Sequence, residues 1–206
     1  MKKRDMSILQ KLRRLRHDRR GVSAVEFAFV APLLITLYLG CVEVSDGVSA
    51  DRKVTLTAAA LANLTASCSN SNANSGACSS STTPAYNITT TEMSNILDAS
   101  SAIIAPYSTS NLSIVVSCIS IDASKKATVK WSETRNGTKR TAGSTYTFTS
   151  STSALDVASS QIILAEATYA YTPIVGNALT GTITLQDQMF MSPRVAAPAY
   201  NGTTCS

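Results

Sequence analysis

Histidine is almost missing from this sequence, and its scarcity removes several chemistries at once. The single histidine is His17, inside a basic N-terminal run, and no Cys-x-x-Cys pair occurs anywhere. A metal site built from His and Cys at short spacings therefore has no ligand set here. Carboxylates are also thin: Glu92, Asp98, Asp122, Glu133, Asp156, Glu166 and Asp187 are scattered and follow no known catalytic spacing. Since an active site needs a nucleophile or base with a positioned partner, neither an enzyme nor a bound cofactor is expected. An excess of positive charge is absent too, once the N-terminus is set aside. Residues 1–20 carry nine Lys or Arg against Asp5 and Asp18, a net of +7, so the rest of the formal +5 chain carries −2. No nucleic-acid partner is expected.

What the chain does have is one long apolar run behind that basic leader. Val22 to Val42 forms about 30 Å of helix at 1.5 Å per residue, the thickness of a bilayer's hydrocarbon. Its core, FAFVAPLLITLYLGCV, is uncharged and is followed by Glu43, Asp46, Asp51, Arg52 and Lys53. By the positive-inside rule the leader stays cytoplasmic and everything after about Glu43 is exported. An ordinary secretory signal has a shorter apolar region and no carboxylate. An uncleaved anchor accounts for the length and the leader, but not for Glu26 near the start of the run. A carboxylate costs roughly 2.5 to 3.5 kcal/mol at a bilayer's centre and less near its surface, so a partner is expected.

A basic leader, Gly21, four residues, Glu26 and then an apolar helix is the processing pattern of the type IV prepilin class. Within that class GVSAVEFAFVAPLL resembles the N-terminus of Tad (tight adherence) pilus assembly proteins of the TadE/TadG type. DRKVTLTAAALANLTA (Asp51 to Ala66), EMSNIL, AEATYAYTPIVG (Ala165 to Gly176) and FMSPR (Phe190 to Arg194) extend the likeness, although Ser192 stands where a basic residue would be expected.

The resemblance implies that a prepilin peptidase cuts after Gly21, making Val22 the new N-terminus, and that Glu26 seats the subunit against its neighbours. The amine of Val22 and the carboxylate of Glu26 would then lie four residues apart on one helix face, close enough to pair. It further implies a non-catalytic minor pilin or pseudopilin of a Tad-type pilus, single-pass in a bacterial inner membrane with a periplasmic head. Its partners would be the peptidase, other Tad pilins or pseudopilins, the inner-membrane assembly platform and membrane lipid. A pilus-tip adhesin and an uncleaved, membrane-anchored periplasmic domain remain as alternatives.

The chain thus divides into a leader (1–21), a membrane helix (22–44) and an exported head (45–206), with no room for a second domain core. The head is expected to be α+β and pilin-like, with the long helix packed on a mainly antiparallel sheet of about four strands. Val54, Ala58 and Leu61 form one apolar stripe of the helix and Leu56, Ala60 and Leu64 another, so one is assigned to the sheet and the other to a neighbouring subunit. Residues 67–91 read as a loop. A helix follows with Thr91 or Thr90 as its cap, ending before Pro106. Strand patterns appear at Leu112, Ile114, Val116 and Cys118; at Ala127, Val129 and Trp131 on one shared face; from Ile163 to Tyr171; and at Ile183 and Leu185.

Cys68, Cys78, Cys118 and Cys205 fall in the exported part, where four cysteines allow three pairings. Cys68 with Cys78 and Cys118 with Cys205 is the favoured set. Glu166, within an apolar strand, is expected to face solvent or to meet a cation on the sheet's other face. Lys125, Lys126, Lys130, Arg135, Lys139 and Arg140 surround Trp131 in an expected hairpin, where they form a candidate surface for an anionic ligand. A solvated hairpin with Trp131 turned into the core is the favoured expectation.

Overall fold

The computed structural model describes residues 21–67, 87–174, 181–194 and 198–206. Helix α1 runs from Val22–Ser67. By compactness the chain divides at Ser45/Asp46. In the first unit the apolar side chains point outward: none of the residues in the most apolar window of α1 is buried, and Phe29 is 80% exposed. A core helix of a soluble domain would bury that window. Pro32 lies within this stretch, and Thr36 Oγ1 donates to its carbonyl at 2.8 Å.

The second unit is the head. Its remaining elements are β1 (Asn87–Ile88), α2 (Thr90–Ser101), β2 (Leu112–Ile121), β3 (Ala127–Arg135), β4 (Thr145–Tyr146), β5 (Ser160–Tyr171), β6 (Ile183–Met191) and β7 (Ala199–Tyr200). Five strands make one antiparallel sheet in the order β4-β3-β2-β5-β6, and β1 pairs in parallel with β7. The α+β architecture with a long helix on an antiparallel sheet is therefore present, with one more strand in the sheet than expected.

Alternation decides the sheet's two sides. Ile114, Val116 and Cys118 of β2, with Ile163, Ala165, Ala167, Tyr169 and Tyr171 of β5, meet Ala50, Val54, Ala58 and Leu61 of α1 in the main core. The first predicted stripe of α1 is thus fully buried, whereas Leu56 and Leu64 of the second are 57% and 37% exposed. Helix α2 adds Met93 and Leu97 to the core. Its cap is Thr89, one residue before the expected positions. Thr89 accepts from Glu92 N while the Glu92 carboxylate accepts from Thr89 N at 2.7 Å, a reciprocal box that Thr90 or Thr91 could not make with a residue three further on.

The far side of the sheet carries a smaller apolar cluster. Ile119, Ile121, Ala127, Ile162 and Leu164 are buried there under Tyr146, Phe148, Leu155 and Phe190. A register shift between Cys118 and Ile119 corrects the expected face of β3. Trp131 opposes Cys118 on the helix side, but Val129 opposes Ile119 and Ala127 opposes Ile121 on the far side. The extra residue in β3 lets one strand serve both clusters.

Candidate assembly segment and the charged face of the head

Gly21 immediately precedes α1, and a Cβ added to it would meet nothing within 4 Å among the described residues. No packing in the fold demands glycine there. Val22 opens the helix and Glu26 follows one turn later, with both side chains exposed. The first turn contains no acidic residue, so Glu26 is the first carboxylate the helix presents. The leader, residues 1–20, and the Cys68–Cys78 pairing lie outside the described residues.

Cys118 and Cys205 are joined by a disulfide with Cα atoms 5.9 Å apart. It fastens the C-terminal tail to a central strand, and the tail makes further contacts on the way. Trp131 Nε1 donates to Pro198 O at 3.1 Å, the Tyr200 ring lies 5.7 Å from that of Trp131, and Tyr200 Oη donates to Glu133 Oε2 at 2.7 Å. Burial would raise the Glu133 carboxyl, but the hydrogen bonds from Lys139, Tyr200 and Thr134 outweigh it and hold Glu133 below the usual glutamate value. Burial, and then the bond to Glu133, push Tyr200 up to about 12. These tail contacts escape a sequence reading, because nothing local links Tyr200 to Glu133.

Three of the six cations proposed as one surface are taken up by carboxylates of the head. Arg135 pairs with Asp98 and reaches Ser94 Oγ at 3.3 Å, Lys139 pairs with Glu133 at 2.7 Å, and Arg140 pairs with Glu166. Only Lys125, Lys126 and Lys130 lack a carboxylate ion pair among the described residues. Lys125 and Lys126 sit in the β2–β3 turn, where the N–H groups of Lys126 and Ser124 bond Asp122 Oδ1 at 2.9 and 2.8 Å. The Lys126 N–H in particular holds the Asp122 carboxyl below its usual value. Trp131 is only 3% exposed, so it is not part of any such surface. Among the described residues no three of His, Cys, Asp and Glu come together to hold a metal ion.

Arg140 explains why Glu166 is tolerated on a central strand. The chain between β3 and β4 crosses the far side of the sheet, and Gly137 lies so close that a Cβ would overlap Ser113 Oγ. Arg140 N then donates to Ser132 Oγ at 3.1 Å. Its guanidinium makes two parallel bonds to Glu166, Nε to Oε2 at 2.8 Å and Nη2 to Oε1 at 2.7 Å. Its carbon also stands 5.2 Å from the Tyr146 ring centroid. Both partners are about a third exposed, which weakens the pair by solvent screening. A double-mutant cycle of Arg140→Ala and Glu166→Ala should give a coupling of about 1 kcal/mol, the geometry being bidentate. A coupling indistinguishable from zero in chemical denaturation would remove Arg140 as the strut that pins this connection.

Arg194 of the Phe190 to Arg194 stretch closes the other end of the head. Its Nη2 bonds Asn63 Oδ1 at 2.7 Å and its backbone N–H donates to Ala66 O at 3.2 Å, tying the strand end to the last turns of α1. No curated protein and no solved structure matches the chain. The family model of TadE-like proteins does match residues 21–62, a span holding Gly21, Val22, Glu26 and α1 as far as Ala62. This N-terminal segment is therefore similar to that of TadE-like proteins.

Proposed function

We propose that the protein is a minor pilin or pseudopilin of a Tad-type pilus, with a structural and non-catalytic role in its assembly. The observation that carries this reading is the TadE-like match over residues 21–62. It falls on a helix long and apolar enough to cross a membrane, with Glu26 exposed one turn after Val22. In this reading a prepilin peptidase cuts after Gly21 at the cytoplasmic face of the inner membrane. The helix stays in the lipid and the head stands in the periplasm. Other Tad pilins and the assembly platform then meet the helix. A tip adhesin working through the cation cluster has less support, since three of its six members are engaged within the head.

N-terminal sequencing of the membrane-extracted protein tests the reading, done with the peptidase present and with it deleted. The expected start is Val22 in the first case and Met1 in the second. Met1 in both would leave a permanently anchored periplasmic domain.

The two stripes of α1 give a second test. Leu61→Ala empties a fully buried site and should cost roughly 2 to 5 kcal/mol in a melting experiment on the purified protein. Leu56→Asp and Leu64→Asp, at exposed positions, should leave melting within about 0.5 kcal/mol of wild type and reduce piliation. Normal piliation with both exposed substitutions in place would mean that no neighbouring subunit packs there.

A further inference from the structure

Among the described residues the outer edge of β6 is unpaired. Its nine-residue run ITLQDQMFM has no Pro, Gly, Lys, Arg or register break. Natural sheets protect such an edge with those devices or with a charge on the core-facing row, and of these β6 has only the charge, that of Asp187. The direction of its backbone groups follows from two side-chain contacts. Gln188 N donates to Asp187 Oδ1 at 2.8 Å, so it points away from β5. Thr134 N likewise turns outward, onto Glu133 Oε1, and Thr134, Val115, Glu166 and Gln188 are successive partners across the sheet. Alternation in an antiparallel ladder then turns the N–H and C=O groups of Thr184, Gln186, Gln188 and Phe190 to the open side.

The side chains of this edge are equally unfinished. Ile183, Leu185, Met189 and Met191 make the helix-side row; Ile183 is 39% exposed and the other three are only partly buried against the main core. In the middle of that row stands Asp187, the strand's single charge, with no ion pair among the described residues. A second β6 laid antiparallel about the same centre would place Asp187 against Asp187, and like charges directly opposite each other destabilise a strand pair. A purely apolar strand would desolvate the carboxylate without compensation.

We propose that the β6 edge is a strand-addition site for an extended segment of another protein, one that alternates apolar residues on one face and carries a Lys or Arg at its centre. Its backbone takes up the outward row of β6, its apolar residues cover Ile183, Leu185, Met189 and Met191, and its cation meets Asp187. With the edge empty, Asp187 satisfies the Gln188 N–H itself. On docking, a carbonyl of the incoming strand takes over that N–H, and the released carboxylate turns to the cation.

The test uses the full chain in detergent micelles and fluorescent nine-residue peptides of alternating Val and Thr with a central Lys or a central Glu. Binding is read by anisotropy. The Lys peptide should bind wild type at least tenfold more tightly than the Glu peptide. Asp187→Lys should invert that order, and Asp187→Asn should bring the two peptides within about threefold. N-methylation of the peptide amides that would face β6 should abolish binding. Equal binding of the two peptides, no binding of either, or undiminished binding of the N-methylated form overturns the proposal. So does a second copy of the chain as occupant, seen in the absence of peptide as a dimer in analytical ultracentrifugation that Gln186→Pro, which removes an outward N–H, dissolves.

Discussion

Glu26→Ala should yield a protein that is cut normally, starts at Val22 and is at least tenfold poorer in assembled pili, whereas Gly21→Val should accumulate as uncut precursor. The two effects separate because the two residues act in order. Gly21 has no packing role within the described fold, since a Cβ there meets nothing within 4 Å. Its replacement should therefore be felt by the peptidase that must accommodate it. In the proposed processing Glu26 lies one helical turn beyond the bond to be cut, and the partner proposed for it, the Val22 amine, is an amide nitrogen until that cut is made.

Once cut, a carboxylate and an amine at this spacing share one face of α1, within a subunit or across to a neighbour's terminus. In an environment poor in water such a pair is worth far more than at a wet surface. Losing only about 1.4 kcal/mol from each subunit contact is a tenfold loss in its association constant. Glu26→Gln keeps the shape and removes the charge, so it should behave like the alanine variant. Sheared pili measured by immunoblot, beside N-terminal sequencing of the membrane fraction, read both steps. Wild-type piliation by Glu26→Ala would sink the pairing argument even with cleavage confirmed.

The parts of the molecule that sequence patterns reveal are those with local periodicity. Val54, Ala58 and Leu61 repeat at helical spacing and are buried; Ile163 to Tyr171 alternate and face the core; Trp131 is buried, and Glu166 meets a cation. The parts that sequence patterns hide depend on long-range geometry. Tyr146, Phe148 and Leu155 stand singly in a Ser/Thr-rich stretch, so nothing marks them as the cover of a second cluster until β4 pairs with β3. The shift between Cys118 and Ile119 leaves no residue signal, yet it moves Val129 to the opposite side from Trp131. The ion pairing of three of the six cations is hidden for a related reason. The cations are neighbours in sequence, whereas Asp98 and Glu166, which take up Arg135 and Arg140, arrive from α2 and β5. The β1–β7 pair joins two residues to two others across the whole head, below the length any strand pattern can detect.

That hidden pair belongs to the tail, and the tail gives the second large expectation: Cys205→Ser should lower the melting temperature of the purified protein by about 10 °C. The Cys118–Cys205 bond closes a loop with a sequence separation of 87, for which loss of unfolded-chain entropy corresponds to roughly 4 to 5 kcal/mol. One kcal/mol is about 2 to 4 °C in a domain of this size. Cys118→Ser and the double variant should match Cys205→Ser, because all three remove one and the same bond; a double variant that loses twice as much would show that the cysteines act separately.

The noncovalent contacts determine what happens next. Asn201 N still donates to Ile88 O at 3.1 Å, Gly202 N to Asn87 Oδ1 at 2.9 Å, and Tyr200 to Glu133. The tail should therefore stay docked at neutral pH and leave the emission of Trp131, the only tryptophan, unshifted. Acid reverses this. The folded Glu133 pKa is lowered, so its contribution is present above the unfolded glutamate value and is lost as pH falls through the folded one. Tyr200 has the opposite limit, since its pKa is raised to about 12 and its contribution fades as pH climbs from about 10 toward that value. In Cys205→Ser, Trp131 emission should shift to the red at both extremes, while in the disulfide-bonded protein it should stay constant until global unfolding. A red shift at neutral pH in Cys205→Ser would show that the disulfide alone holds the tail, and that the Trp131, Tyr200 and Glu133 contacts are its consequence.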